Sequence, residues 1–303
     1  MPLIALASVK SSPGVTVTAL ALASAWRTAP RRLLLEADPS GGDLGLWLGL
    51  PADSGLAGLA AAARHGHEAD LPWRHARELA GGTHLVTAPA GAEQAAACVT
   101  ALAAAGLPQA LAAGDEPVLA DCGRLYPGSP AVAVAAAAVV TLLVIRPRVS
   151  ELAHLEARVG GLEQAGLRLA LVLVPDSRRA PAEDSYPADE IAAALGVPVQ
   201  ATLPSDPRTV EQLARRAGDP GPARRLALLR EAAALAAALE AAGEHPPAAP
   251  ALLAGPAGRD ETEVSAGDRR GAQARAAARR AGRRAGAAAA QPGGRPDGAA
   301  GRP

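Results

Sequence analysis

The sequence predicts an α/β protein in which a doubly wound, mostly parallel sheet carries helices on both faces. Near-continuous apolar runs alternate with longer Ala/Leu-rich segments from Leu3 to about Ala242. Apolar runs of this kind are typical of strands that are buried on both faces of a sheet. Several runs end in an acidic residue or a small-residue turn, and the carboxyl ends of such strands are where open α/β sheets bind ligands.

The elements follow from these patterns in chain order. The predicted strands are residues 3–7, 33–37, 83–87, 139–145, 167–174 and 197–203, together with one that ends at Asp121. The predicted helices are residues 17–26, 92–104, 149–165 and 224–242, with further helices that begin near Ser185 and Pro207. Residues 51–77 are polar and Ala-rich, and they are interpreted as helix ends and loop.

A small-residue turn, Ser8–Thr16, joins the first strand to the first helix. A strand, such a turn and a helix start present backbone N–H groups at the positive end of a helix dipole, which suits phosphate. A complete phosphate-binding loop is G-x-x-x-x-G-K-[ST]. Gly14 and Thr16 fit it, Val15 stands at the lysine position, and Lys10, the only lysine in the chain, lies five residues earlier. The alternative is a surface lysine without a function.

This turn resembles the deviant Walker A loop of MinD/ParA-type ATPases, K-G-G-x-G-K-[ST]-[ST]. Lys10, Gly14 and Thr16 match it, whereas Ser11, Ser12, Val15 and Val17 depart. The resemblance implies that Lys10 reaches the phosphates of a partner across a nucleotide-bridged dimer, and that Thr16 binds magnesium. The residues that it places around the nucleotide are Ser11, Ser12, Pro13, Gly14, Val15, Thr16 and Val17.

A second acidic segment, Leu35–Leu44, follows the second strand. Asp38 stands at the carboxyl end of that strand, before a Gly-rich loop, and such an acid points into the ligand crevice of an α/β sheet. The segment resembles the family's D-x-D-P-x-G-G. The resemblance implies that Asp38 orients the attacking water, and Glu36 is the other family acid. A loop aspartate that caps a turn is the alternative.

Two further acids complete the predicted site. The apolar strand that ends at Asp121, followed by Gly123, resembles a Walker B strand, which implies that Asp121 holds Mg²⁺ through water. Pro204 and Asp206 match the family's P-x-D element beside the base. The alternatives are local, since Asp121 would then cap a loop and Asp206 the helix that begins near Pro207.

Other parts of the chain fit the family less well. The run Leu143–Pro147 resembles the strand before its dimer-facing helix, but Pro175 stands where many relatives have an asparagine that contacts adenine. Two alternative sites are not favoured. One is a metal site among the histidines of residues 65–75, and the other is an iron–sulfur cluster shared by two subunits through Cys98 and Cys122.

Charge is distributed unevenly, although the formal net charge is zero. From Arg259 onward there are ten arginines and five acids, so this tail carries +5 and the remainder −5. We predict a nucleotide-binding domain over residues 1–243 and a disordered basic tail over 244–303. The tail is a candidate for contact with DNA or an anionic surface, but a solvated low-complexity tail without a binding role is the favoured alternative. There is no long apolar run or signal sequence, so we expect a cytoplasmic protein, peripheral to the nucleoid or the inner membrane face.

The resemblance implies an ATP-binding, Mg²⁺-dependent homodimer that organises a partner system in space, such as chromosome or plasmid partitioning, division-site placement, or secretion or pilus machinery. Because Val15 removes a cation from the phosphates and no residue beside it in the sequence replaces that cation, weak or absent ATP hydrolysis is expected. Two alternatives remain open. One is a nucleotide-free scaffold that binds a secretion or pilus ATPase, and the other is an active ATPase or synthase of the same superfamily.

Overall fold

The computed structural model describes residues 3–51, 54–175, 186–216 and 218–244. They contain one sheet with the strand order β3-β4-β2-β5-β1-β6-β7-β8. Its strands are β1 Leu3–Ser8, β2 Arg32–Glu36, β3 Arg77–Glu78, β4 Thr83–Val86, β5 Val118–Arg124, β6 Val140–Ile145, β7 Leu169–Leu173 and β8 Val199–Thr202. All neighbouring strands are parallel except the short β3–β4 pair. The prediction of a mostly parallel sheet is confirmed.

Helices cover both faces of this sheet. They are α1 Val15–Ala25, α2 Leu44–Trp47, α3 Gly55–Ala63, α4 Leu71–Arg74, α5 Ala92–Ala104, α6 Leu107–Ala112, α7 Ala131–Ala137, α8 Val149–Gln164, α9 Ala188–Leu195, α10 Pro207–Arg215 and α11 Ala227–Glu244, with a 3₁₀ turn at Gly221–Arg225. Within the described ranges, no helix combines the length and the apolar character needed to cross a bilayer.

Two hydrophobic cores, one on each face of the sheet, explain the continuous apolar runs. Leu3, Ala5 and Ala7 of β1 belong to the core beneath α3, α5, α7 and α8. Ile4 and Leu6 of the same strand belong to the core beneath α1 and α11. Because successive side chains of a strand point to opposite faces, a strand that is covered on both sides must be apolar at every position.

Helix boundaries differ from the prediction mainly where alanine dominates. Helix α1 begins at Val15, two residues earlier than expected, and α11 continues to Glu244. Helices α2, α3, α4, α6 and α7 and strand β3 were not predicted. Helices α2 and α4 have only four residues and β3 has two, whereas the alanine-rich helices have little contrast between their faces and therefore a weak 3.6-residue pattern. Ser185 and residues 245–303, which include almost all of the predicted tail, lie outside the described residues.

Candidate functional site

The turn between β1 and α1 has the backbone geometry of an anion-binding loop. Gly14 takes a left-handed conformation with φ +103° at the start of α1, and Ser11 also has a positive φ of +60°. No side chain of the described residues caps α1, and its first turn contains no acid. The first turn therefore keeps N–H donors that the helix cannot satisfy by itself, at the positive end of its dipole.

Thr16 and Asp121 meet beneath this turn. The Thr16 hydroxyl donates a hydrogen bond to the Asp121 carboxylate, whose Oδ1 also accepts from the Gly123 N–H at 3.0 Å. Asp121 is 1% exposed, because β5 lies between β1 and β2. Burial, reinforced by the charges of Asp38 and Glu36, raises the pKa of Asp121 to about 7. A cation placed here would stabilise the carboxylate that the fold otherwise disfavours.

Asp38 approaches the same place from the end of β2. Its carboxylate lies so close to the Gly123 Cα that a side chain at residue 123 would overlap it. Asp38 Oδ1 also accepts from the Ser40 N–H at 2.7 Å, so the turn-capping contact considered from sequence is present too. The ends of β2 and β5 therefore bring Asp38 and Asp121 together near the start of α1.

Glu36 has a different position from the other two acids. It is 2% exposed and accepts three backbone hydrogen bonds, with Oε1 bound to the N–H groups of Asp43 and Leu44 and Oε2 bound to that of Ala88. Burial raises the pKa of this carboxyl. Because three main-chain N–H groups already donate to it, Glu36 positions the loop that follows Asp38 and the start of α2.

A cavity of about 490 Å³ adjoins the turn. One wall is Ser12–Gly14 with Val17 and Thr18, and another is Leu203–Pro207. The structure therefore brings Pro204 and Asp206 to the same cavity as the loop. Asp206 Oδ1 also accepts from the N–H groups of Arg208 and Thr209, at 3.1 and 3.2 Å, which caps α10 as the alternative interpretation anticipated.

Val15 and Lys10, the two positions at which the family has a lysine, lie in opposite environments. Val15, at the lysine position, is 7% exposed and packs in the core formed by α1 and α11. Lys10 is exposed at the end of β1. A nucleotide on one subunit would therefore receive no ammonium from residue 15, whereas Lys10 is accessible to a second copy.

Arg146 is a site residue for which no role was predicted. It follows β6, the strand beside β1, and its Nη2 donates to the Ser12 carbonyl oxygen at 2.9 Å. It also lines the 490 Å³ cavity. The two residues are separated by 134 positions, and only the adjacency of β1 and β6 in the sheet brings them together. The signal for Arg146 in the sequence is its position at the carboxyl end of an apolar run, where α/β sheets bind ligands.

The metal alternatives gain no support from the part of the chain that the structure describes. No group of three or more His, Cys, Asp or Glu side chains there is arranged to hold a metal. Cys98 and Cys122 are free and buried, and burial raises the pKa of both thiols. The pairing of Thr16 with Asp121 still fits Mg²⁺, because that ion commonly takes one or two protein ligands and completes its shell with phosphate and water.

No protein-family model matches the sequence, and no curated protein is a significant match to it. Solved structures with a similar fold include the following three. The ParA family ATPase of Chlorobium tepidum TLS has a TM-score of 0.63 and 18% identity, covering 78% of this chain and 98% of its own. The cell division ATPase MinD of Pyrococcus furiosus has a TM-score of 0.62 and 20% identity, covering 79% and 98%. The septum site-determining protein MinD of Pyrococcus horikoshii OT3, complexed with Mg-ADP, has a TM-score of 0.60 and 18% identity, covering 79% and 96%.

At 18–20% identity, the similarity to these structures shows the fold alone. The chain has a MinD/ParA-like P-loop ATPase fold.

Proposed function

We propose that this chain binds ATP and Mg²⁺, dimerises around them, and serves in the spatial organisation of a partner system at the nucleoid or the inner membrane face. Partitioning of a chromosome or plasmid, division-site placement, and secretion or pilus machinery are the candidate systems. The observation that carries the proposal is the Thr16–Asp121 hydrogen bond beneath the uncapped start of α1, beside a cavity that reaches Pro204 and Asp206. The MinD of P. horikoshii, which shares the fold, was solved with Mg-ADP.

Each residue has a distinct part in this proposal. The turn Ser11–Val17 binds the phosphates through backbone N–H groups, and the Pro204–Asp206 element lies beside the base. Thr16 and Asp121 hold Mg²⁺, which neutralises charge on the phosphates when it is bound. Asp38 orients the attacking water, and Lys10 reaches the phosphates of the second subunit.

An exposed apolar pair supports a second copy as the partner in the dimer. Leu46 is 76% exposed and Trp47 is 41% exposed, and both belong to α2, directly after the loop that contains Asp38. Trp47 also lines the cavity. Apolar side chains beside a ligand site favour burial against another surface, and a dimer that encloses the nucleotide would supply it.

Substitution of Val15 tests the expected weakness of hydrolysis. Val15→Lys restores an ammonium to the loop, and we expect it to raise ATP turnover at least about tenfold, since one electrostatic contact to a developing charge is commonly worth more than that. Turnover is measured by phosphate release from purified protein. Val15→Met is the matched control, because it adds a long side chain without charge. Unfolding temperatures are compared as well, since Val15 lies in the core. Rapid wild-type turnover that Val15→Lys leaves unchanged would contradict the proposal.

The nucleotide-free scaffold is a second candidate, and the burial of Val15 and the presence of Pro175 favour it. Thermal unfolding with millimolar ATP and Mg²⁺ separates the two, because a ligand that binds the native state raises the unfolding temperature. Sedimentation in the same solutions measures dimer formation. A higher unfolding temperature together with dimer formation supports the ATP-binding protein. If ATP and Mg²⁺ cause neither of these effects, the scaffold is supported. Contact of the tail with DNA or anionic surfaces concerns residues outside the described ranges.

A further inference from the structure

Arg146 is held in a defined position beside the phosphate-binding turn. Its backbone N–H donates to Glu151 Oε2 at 2.9 Å, and its Nη1 lies 3.4 Å from Glu151 Oε1. Its Nη2 donates to the Ser12 carbonyl oxygen at 2.9 Å. The Glu151 side chain is 6% exposed and that of Arg146 is 29% exposed. Glu151 therefore fixes the guanidinium, while part of the guanidinium still faces solvent.

The electrostatics of the cavity single out this residue. Among the described residues that line it, Arg146 is the one basic side chain, and Asp206 and Glu211 are the acidic ones. Asp206 is engaged in capping α10. A guanidinium offers several N–H donors in a planar fork, and its contacts with Ser12 and Glu151 leave others available. That fork matches the geometry of phosphate oxygens.

We propose that Arg146 binds the polyphosphate of the nucleotide and supplies, from the same chain, the positive charge that Val15 does not provide. This inference rests on the proposed function, since it concerns the same cavity. In this arrangement the cation near the phosphates is the Arg146 guanidinium at the end of β6, instead of a lysine at residue 15 at the start of α1. It also explains how the chain can hold an anionic ligand although its loop contains no lysine next to Thr16.

The test compares ligands that differ only in their phosphates. ATP with Mg²⁺, ADP with Mg²⁺, and adenosine are titrated calorimetrically into the full-length wild type and into Arg146→Gln. We expect Arg146→Gln to weaken ATP binding about 10- to 100-fold, the range for loss of a charge-assisted hydrogen bond, and to change adenosine binding less than about twofold. Arg230→Gln is the matched control, because Arg230 is exposed on α11 and does not line the cavity.

A rescue experiment makes the inference specific. If Arg146 stands in for the absent lysine, Val15→Lys added to Arg146→Gln restores at least about tenfold of the lost ATP affinity. Arg146→Lys keeps the charge without the planar fork and should lie between the wild type and Arg146→Gln. Should Arg146→Gln fail to fold because Glu151 is left unpaired, Arg146→Gln/Glu151→Gln is compared with Glu151→Gln alone.

The outcomes separate this inference from the proposed function. Wild-type binding of ATP that Arg146→Gln leaves unchanged would overturn the inference and keep the proposed function. Equal losses for ATP and adenosine would also overturn it, since Arg146 would then shape the cavity by bracing Ser12. Absence of all nucleotide binding by the wild type would overturn both.

Discussion

Asp121→Asn is expected to make the nucleotide-free protein more stable at pH 8, by on the order of 2–4 kcal/mol, while it abolishes Mg²⁺-dependent nucleotide binding. Burial raises the pKa of the Asp121 carboxyl from its ordinary value of 3.8 to about 7 in the folded protein. The folded state binds more protons between these values, so stability falls as pH rises from about 4 to about 7. A neutral asparagine does not ionise, so it removes this pH-dependent loss of stability. It is also a poorer ligand than a carboxylate for a hard cation such as Mg²⁺.

Urea unfolding at pH 5, 6, 7 and 8, in the presence of a chelator, measures the effect. The wild type should weaken across this range, and the fall should be smaller in Asp121→Asn. Asp219→Asn is the control, because the Asp219 side chain is only partly buried, at 27% exposed, and its hydrogen bond from Arg216 lowers its pKa. The stability that this carboxylate contributes is fully present above its unfolded pKa of 3.8, so its removal leaves the slope between pH 5 and pH 8 unchanged. Equal slopes in wild type and Asp121→Asn would show that burial of Asp121 does not penalise its charge.

Gly41→Ala is expected to destabilise the protein by about 3–5 kcal/mol, or to displace the loop after Asp38. Gly41 has φ +111°, a conformation that L-residues rarely adopt. A Cβ there would overlap the Ala90 carbonyl oxygen and lie 2.9 Å from the carbonyl carbon. Both obstacles belong to the main chain, so no side-chain rotation relieves them. Denaturant unfolding of the wild type and Gly41→Ala measures the loss in the free energy of unfolding.

Gly49→Ala separates the cost of a positive φ from the cost of the overlap with Ala90. Gly49 also has a positive φ, +62°, but no atom lies within 4 Å of the position of a Cβ. It should therefore cost only about 1–2 kcal/mol, from backbone conformation alone. The excess loss in Gly41→Ala measures the overlap with Ala90. If both variants lost the same amount, the contact between the Asp38 loop and the segment after β4 would be looser than the structure shows.

The sequence allowed the fold to be predicted because its main signals are local. Apolar runs such as Val140–Ile145 are typical of strands that are covered on both faces, and their alternation with helices indicates a parallel sheet. The resemblance at Lys10–Thr16 and Glu36–Leu44 led to the same fold, which the solved structures confirm. The chemical roles of the residues at these positions stay predictions.

The features that were missed depend on long-range geometry or lack contrast. Arg146 reaches Ser12 across 134 positions, and nothing near Val15 in sequence indicates it. Glu36 was matched to a family acid, whereas its burial and three backbone partners make it a positioning residue in this structure. Helix α7, Ala131–Ala137, contains only alanine and valine, so no polar face marks it as a helix.

The close approach of Asp38 to Gly123 makes the ends of β2 and β5 mechanically interdependent. Asp38 fills the space that a side chain at residue 123 would need, so a shift of either strand end toward the other would displace it. A rearrangement around Asp121 would be transmitted through this contact to the loop after Asp38, and from there to α2. Trp47 lies at the end of that chain of contacts, so its fluorescence should signal from the protein surface whether the buried carboxylate has met its counter-ion.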